Sequence, residues 1–216
     1  MKIDNATTAD VKPAAEALKA AFAHDALIAY FFRTCPEGVG PASSRFFSLL
    51  LRVRIALAMP ALVLREAERV LGAAMGYDCE RPAWPEPFAG EWARLEADTP
   101  GLAGRMAAYE ALCRSHEPAP PHYYLGVLGV DPSVQGRGAG KALLEAFCRR
   151  SALDPLSAGV YLDTANPSSL EFYLRNGFVV RGEDDLEGTP LWCVFRSDAV
   201  GSHGGRHAEA KGATRG

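Results

Sequence analysis

The residues best suited to chemistry lie in one stretch, Val130-Asp131-Pro132-Ser133-Val134-Gln135-Gly136-Arg137-Gly138-Ala139-Gly140-Lys141. It leaves a run that reads as a strand and opens a run that reads as a helix. Its three glycines let the backbone approach a ligand closely. The N–H groups of a first helical turn have no partner within the helix, and the positive end of the helix dipole lies behind them. Together they make an anion site, most often for phosphate. Arg137 and Lys141 would add positive charge. A P-loop needs a Gly five positions before Gly140 and a Ser or Thr after Lys141, and Gln135 and Ala142 stand there instead. A dinucleotide fingerprint starting at Gly136 would place its third Gly at Lys141, so that pattern fails too. A Gly-rich turn without a ligand is the plain alternative.

A second stretch follows about thirty residues later: Tyr161-Leu162-Asp163-Thr164-Ala165-Asn166-Pro167-Ser168-Ser169-Leu170-Glu171-Phe172-Tyr173-Leu174-Arg175-Asn176-Gly177-Phe178. The loop Gln-x-x-Gly-x-Gly after Gly-Val-Asp-Pro, and this later strand, helix and Asn-Gly-Phe turn, together resemble the GNAT superfamily of acyl-CoA-dependent N-acetyltransferases. Within it, Pro121 to Val130, the Leu-Asp-Thr-Ala-Asn-Pro segment and Leu191-Trp192-Cys193-Val194-Phe195-Arg196 look like the branch of puromycin N-acetyltransferase and its relatives. The match is clear from about His116 to Arg196. Before that it rests on element order.

The resemblance implies a fold and a mechanism. The fold is mixed α/β (α+β), a central twisted sheet of about seven strands flanked by helices, with a V-shaped splay between two central parallel strands. Acetyl-CoA is the implied acyl donor, with no metal. Leu128 and Val130 would offer backbone contacts to pantetheine, and an N–H near Leu128 would polarise the thioester carbonyl. Gln135, Gly136, Arg137, Gly138, Ala139 and Gly140 would hold the pyrophosphate. Asn166 would cap its helix and touch pantetheine. Tyr173 would contact the coenzyme and act as the general acid, since a phenol with pKa about 10 can protonate a thiolate whose parent pKa is about 8.5. A core tyrosine beside Leu170 and Leu174 is the competing reading. Asp163 and His122 lead the candidates for the base, ahead of Tyr124, Glu110, His116 and Glu117. Many family members place a Glu about where Tyr124 stands, and that departure leaves a strand-borne carboxylate base in doubt.

The elements must bring these residues together. Lys2 to Asn5 reads as an edge strand, and Thr7 or Thr8 caps a helix to about Ala23 with Val11, Ala14, Ala15, Leu18 and Phe22 on one face. His24 to Pro41 mixes aromatics with turn residues and reads as a loop. A helix follows from Ser43 to about Leu57, stopped by Pro60. Ala61 to Glu66 and Arg69 to Tyr77 read as a hairpin. A helical stretch from about Gly90 to His116 breaks near Pro100-Gly101. Then come a strand over His122 to Val130, a helix over Gly138 to Ser151, a strand over Gly159 to Asp163, a helix over Pro167 to Asn176, and strands over Phe178 to Arg181 and Pro190 to Arg196. Gly126 and Gly129 are poor strand residues and suit a bulge or a close ligand approach, or ordinary sheet packing. The acceptor pocket should come from the region before residue 120, with His24, Asp25, Tyr30, Phe31, Trp84, Trp92 and Tyr109 as wall candidates or as plain core.

Composition sets the outer bounds. The chain has 216 residues, 48% of them hydrophobic and 23% charged, the balance of a soluble globular protein. Residues 1–196 are expected to form one domain and 197–216 a disordered tail. His203 and His207 in that tail would be a weak metal pair. Twenty-three Lys and Arg against 26 Asp and Glu give a net charge of −3, which argues against nucleic acid as a partner. No apolar run reaches the roughly 20 residues of a membrane span, and the first residues lack a secretory h-region. Five widely spaced cysteines without a CxxC pair suit reduced, cytoplasmic thiols. The expected partner is a small-molecule amine, with the chain a monomer or homodimer. A peptide or protein amine, or a non-catalytic acyl-CoA sensor of the same fold, are the other readings.

Overall fold

The computed structural model describes residues 1–198. Seven strands form one sheet in the order β1-β2-β3-β4-β5-β7-β6. β1 is Lys2–Asn5, β2 Ala61–Glu66, β3 Arg69–Tyr77, β4 Tyr123–Val130, β5 Gly159–Thr164, β6 Val179–Leu186 and β7 Thr189–Ser197. The sheet is antiparallel except at its centre, where β4 and β5 run parallel. Their pairing comprises two rungs, Tyr123 with Val160 and Tyr124 with Tyr161. Beyond Tyr124 both strands continue but part, which is the splay expected from the sequence.

The parting has a local cause. Met75 of β3 faces Val127, while the next residue, Gly76, faces Leu125, so Gly126 is an extra residue bulged out of β4. A bulge bends its strand and sharpens the twist. Gly76 must be glycine for β4 to lie this close, because a Cβ there would run into the Tyr124 carbonyl.

Helices cover both faces. On one lie α1 (Val11–Ala21), α2 (Ala26–Phe32), α3 (Val39–Ala56), α4 (Phe88–Asp98) and α5 (Leu102–Ser115). Leu18, Phe32, Phe47 and Leu51 pack there on Val63, Ala73 and Met75. On the other lie α6 (Ala139–Leu153) and α7 (Pro167–Arg175). Leu143, Leu144 and Phe147 of α6 meet Leu62, Leu64 and Ala74 there, the alternate residues of the same strands. α4 and α5 break at Gly101, whose φ of +76° suits glycine.

Three boundaries differ from expectation. The segment read as a loop over residues 24–41 contains α2, started by the Asp25 side chain, which accepts from the Ile28 N–H at 2.9 Å. It also contains the first turn of α3, where Pro41 is tolerated because its missing N–H would have had no partner there. Arg105 closes α2 from a distance, donating from Nε and Nη2 to the Phe31 carbonyl at 3.0 and 2.7 Å. Strand β6 continues past Arg181 through Glu183-Asp184-Asp185, because an edge strand leaves such side chains in water. The tail and its two histidines lie outside the described residues.

Asp10 ties the first helix to the sheet. Its Oδ2 accepts from the backbone N–H and the hydroxyl of Thr7, each at 2.8 Å, and its Oδ1 meets the Arg65 guanidinium of β2. Burial alone would raise its pKa, but the Thr7 hydrogen bonds and the Arg65 charge outweigh that and hold it below the ordinary carboxylate value. A depressed pKa contributes stability above the unfolded pKa and loses it as pH falls through the folded one. Asp10→Asn should therefore cost about 1.5–3 kcal/mol near pH 7. Thermal melts of the two proteins should converge as pH drops below about 4.

Candidate active site

A cleft of about 1530 Å³ opens where β4 and β5 part. Three groups of residues build most of it: β4 with the loop between it and α6, the β5–α7 segment, and the helical layer of α1 to α5.

The loop begins with Asp131, whose Oδ1 accepts from the Ser133 N–H at 2.9 Å and so turns the chain out of β4. Gly136 and Gly138 have φ of +73° and +79°, and a Cβ on either would meet open space. Their need for glycine is thus conformational. Among the described residues, the N–H groups of Gly138, Ala139, Gly140 and Lys141 have no hydrogen-bond partner, and the first bond of α6 runs from Ala142 N–H to the Gly138 carbonyl at 3.0 Å. Four free donors at the head of a fifteen-residue helix form a cradle suited to phosphate. Gln135 is held by a long contact from Nε2 to the Val130 carbonyl, 3.4 Å. Leu128, Val130, Gln135, Gly136, Gly138, Ala139 and Gly140 all line the cleft. Arg137 does not, because its side chain turns to Glu66 at 3.0 Å.

Asn166 caps α7 as its type and place required, accepting at Oδ1 from the Ser168 and Ser169 N–H groups at 2.9 and 3.3 Å. One face of that helix carries Tyr173 into the cleft, with its ring at 5.3 Å from Phe172 and 5.6 Å from Phe178. It is 7% exposed, and its hydroxyl bonds to none of the described residues. Burial, with Asp163 and Asp25 adding negative charge nearby, pushes its pKa well up, so the phenol keeps its proton.

Asp163 stands on β5 two residues past the last pairing with β4. Its Oδ1 accepts from Tyr109 at 2.8 Å and from Tyr124 at 2.9 Å, and those two hydroxyls lie 2.9 Å apart. Burial raises the Asp163 pKa, the two phenols and Cys113 pull it back, and Asp25 pushes it further up. Asp25, at the head of α2, is likewise raised by burial, offset by the N–H groups of Ile28 and Leu27. Both phenols lie well above their usual range because burial and the Asp163 charge oppose their ionisation. They are therefore donors and Asp163 is the acceptor.

His122 stands apart from this group. It does not line the cleft. Its Nδ1 bonds to the Pro120 carbonyl at 2.8 Å, its Nε2 lies 3.1 Å from Glu117, and its ring packs edge-on to Tyr161 and Phe195. Glu110 and Glu117 do line the cleft, and His116 does not. Of the seven wall candidates before residue 120, Tyr30 is core and the other six line the cleft. Gly126 is bulged and exposed, whereas a Cβ on Gly129 would come within 2.8 Å of Phe22, so Gly129 serves packing on α1.

Sequence reasoning missed Arg54, Tyr77 and Arg81. Arg54 had a signal: it follows Phe47 by seven residues and Leu50 by four, on the inward stripe of α3. A cation on that stripe needs a reason. Tyr77 and Arg81 had none.

Residues 96–180, less than half the chain, match the family profile described as an acetyltransferase (GNAT) domain. A mycothiol acetyltransferase from Mycobacterium avium is 30% identical over 146 residues, 58% of this chain and 46% of that one. The N-alpha-acetyltransferase RimI of Mycobacterium tuberculosis is 37% identical over 78 residues, 35% of this chain and 46% of that one. The chain thus matches about half the length of these curated relatives. Among solved structures, that of the histone acetyltransferase HPA2 and related acetyltransferase from Corynebacterium glutamicum superposes with a TM-score of 0.66 at 24% identity, over 93% of this chain and 98% of that one. This likeness extends the shared fold to the segment ahead of residue 96.

A carboxylate whose pKa is raised on folding costs stability above that pKa and nothing below its unfolded one. Asp163→Asn keeps an oxygen for both phenols and removes the buried charge. It should raise the melting temperature at neutral pH, with the gain closing as pH falls toward about 4 and gone below it. A variant less stable than the parent at pH 7 would refute this account of the Asp163 environment.

Proposed function

We propose that this chain, which carries a GNAT acetyltransferase domain, moves the acetyl group of acetyl-CoA to a primary amine of a small molecule by direct attack in a ternary complex. The observation that carries the reading is the cradle of free N–H groups at the head of α6, opening on the same cleft as Tyr173 and Asp163. An extended phosphate-bearing ligand fits that layout, since its anion and its reacting end lie in one continuous space.

In this proposal the backbone of Gln135 to Gly140 holds the pyrophosphate. Arg137 contributes its backbone, since its side chain is engaged by Glu66. The pantetheine arm lies in the splay along Leu128 and Val130, with Asn166 on its other side. The bound coenzyme supplies the acetyl thioester. A backbone N–H near Leu128 stabilises the negative charge that develops on the carbonyl oxygen as the amine attacks. Asp163 accepts the proton that the attacking nitrogen sheds, with Tyr109 and Tyr124 orienting its carboxylate. Tyr173 donates its proton to the departing sulfur. Its raised pKa does not forbid this, because the burial that disfavours a phenolate disfavours a thiolate beside it as well. His122, away from the cleft, is a positioning residue for Glu117.

The acceptor is a further proposal. The aromatic wall of Phe31, Trp84, Trp92 and Tyr109 suits an amine with an apolar or aromatic body, and a puromycin-like aminonucleoside remains one such amine. The mycothiol and RimI acetyltransferases among the relatives keep other small-molecule amines and peptide amines in the test.

Coenzyme A release from acetyl-CoA across primary amines, puromycin and a short peptide included, tests the reading. Tyr173→Phe should lower turnover at least tenfold while leaving acetyl-CoA affinity within about threefold. Unchanged turnover would remove Tyr173 from the chemistry. Gly140→Glu should abolish acetyl-CoA binding in calorimetry by setting a negative side chain at the cradle. Undiminished affinity would refute the pyrophosphate assignment.

A further inference from the structure

Four Arg and Lys side chains line the cleft: Arg54, Arg81, Arg114 and Lys141. Three of them have a carboxylate partner. Arg81 meets Glu117, Arg114 lies 3.9 Å from Glu110, and Lys141 lies 3.7 Å from Glu145. Arg54 has none among the described residues. It is 5% exposed, and its Nε and Nη1 are buried without a hydrogen-bond partner. A buried guanidinium with two idle donors is costly to keep, since a lost hydrogen bond at a charged group costs more than at a neutral one.

Its surroundings hold it in place without satisfying it. The guanidinium carbon lies 3.8 Å from the ring centroid of Tyr77 and 5.7 Å from that of Trp84, and Trp84 Nε1 donates to the Tyr77 hydroxyl at 2.7 Å. The Tyr77 phenol is thereby fixed and the Arg54 plane rests on an aromatic floor. Tyr77 pairs with Tyr124 across β3 and β4, and the Tyr124 hydroxyl donates to Asp163 at 2.9 Å. The two tyrosines of one β3–β4 rung thus carry Arg54 against one ring and Asp163 on the hydroxyl of the other.

We propose that Arg54 receives a carboxylate of the acceptor, so that the substrate is an amine that also bears a carboxylate: an amino acid with an apolar or aromatic side chain. This rests on the acetyltransferase reading above and narrows it. The planar guanidinium fork matches a carboxylate with two parallel hydrogen bonds. One carboxylate charge neutralises one guanidinium charge, whereas a phosphate would leave excess negative charge in a dry aromatic site. The amine then lies toward Asp163 and Asp25, and the side chain toward Trp84 and Trp92. A peptide amine, whose first residue has no free carboxylate, fits this site less well.

The test compares L-phenylalanine with phenethylamine, L-phenylalanine amide and the phosphonate analogue of phenylalanine as acceptors for acetyl-CoA. The free acid should exceed each of the other three at least tenfold in kcat/KM. Arg54→Met should reduce the acid-to-amine ratio at least tenfold, and Arg54→Lys, which keeps the charge and loses the fork, should fall between. Phenethylamine or the amide equalling the acid in the parent protein overturns the proposal, as does a ratio that Arg54→Met leaves intact. Preference for the phosphonate overturns the carboxylate assignment. A second arm reads binding alone, by tryptophan fluorescence of the protein with coenzyme A titrated with 3-phenylpropanoate. Saturable binding that weakens at least tenfold in Arg54→Met supports the site. Absent binding, or equal binding in the variant, sinks it. Should Arg54→Met fail to fold by circular dichroism, Arg54→Lys and the parent comparisons decide. Binding of 3-phenylpropanoate with no coenzyme A released by any amine would instead sink the acetyltransferase reading and leave the carboxylate site standing.

Discussion

The structure depends on one failure of pairing. β4 and β5 share two rungs and then separate, because the bulge at Gly126 turns β4 away while β5 stays bound to β7 along its length. A parallel pair at the centre of a sheet would otherwise be the most thoroughly buried place in the protein. Parting it leaves strand edges without partners, and those edges need something to satisfy them. The cleft follows from this directly. So does the position of Asp163, two residues beyond the last rung, and of the α6 cradle, at the end of the strand that turned aside.

The second constraint is electrostatic. Burial acts on six ionisable groups around the splay in the direction that removes charge: up for Asp25, Asp163, Tyr109, Tyr124 and Tyr173, down for Arg54. The chain resists this for Asp163 with two phenol hydrogen bonds and leaves Arg54 with aromatic rings alone. Groups held this far from their resting state cost folding free energy. A protein retains them where a ligand supplies what is missing. The free N–H groups of α6 follow the same logic with neutral donors. The cleft thus presents donors without partners in two places, the N–H groups at the head of α6 and the Arg54 guanidinium.

Local rules made much of this legible. Asn166-Pro167 before an apolar pattern and Gly177 after it marked α7, since cap, proline and glycine each act within one turn. The glycine spacing marked the cradle because a left-handed backbone at Gly136 and Gly138 is a local necessity. The hairpin of β2 and β3 matched its expected bounds, since both strands are apolar and the turn is tight. Where reading failed, a local signal pointed one way and a distant partner decided. The aromatic run from Leu27 to Phe32 is too short to show a helical period, and it becomes α2 because Asp25 starts it and Arg105, from α5, closes it.

The sequence by itself determined the elements other than α2, their order and the two motifs, because caps, turns and periodicity are set by neighbours a few residues away. From those motifs came the donor cradle, the cap at Asn166 and the face that carries Tyr173. The tertiary structure decided which side chains meet. It paired Asp163 with Tyr109 and Tyr124 across 54 and 39 residues of chain. It turned Arg137 to Glu66 and His122 to Glu117, and it left Arg54 in the cleft without a partner. A side chain's charge, partner and exposure depend on which surfaces the folded layers bring together, and spacing along the chain does not encode that.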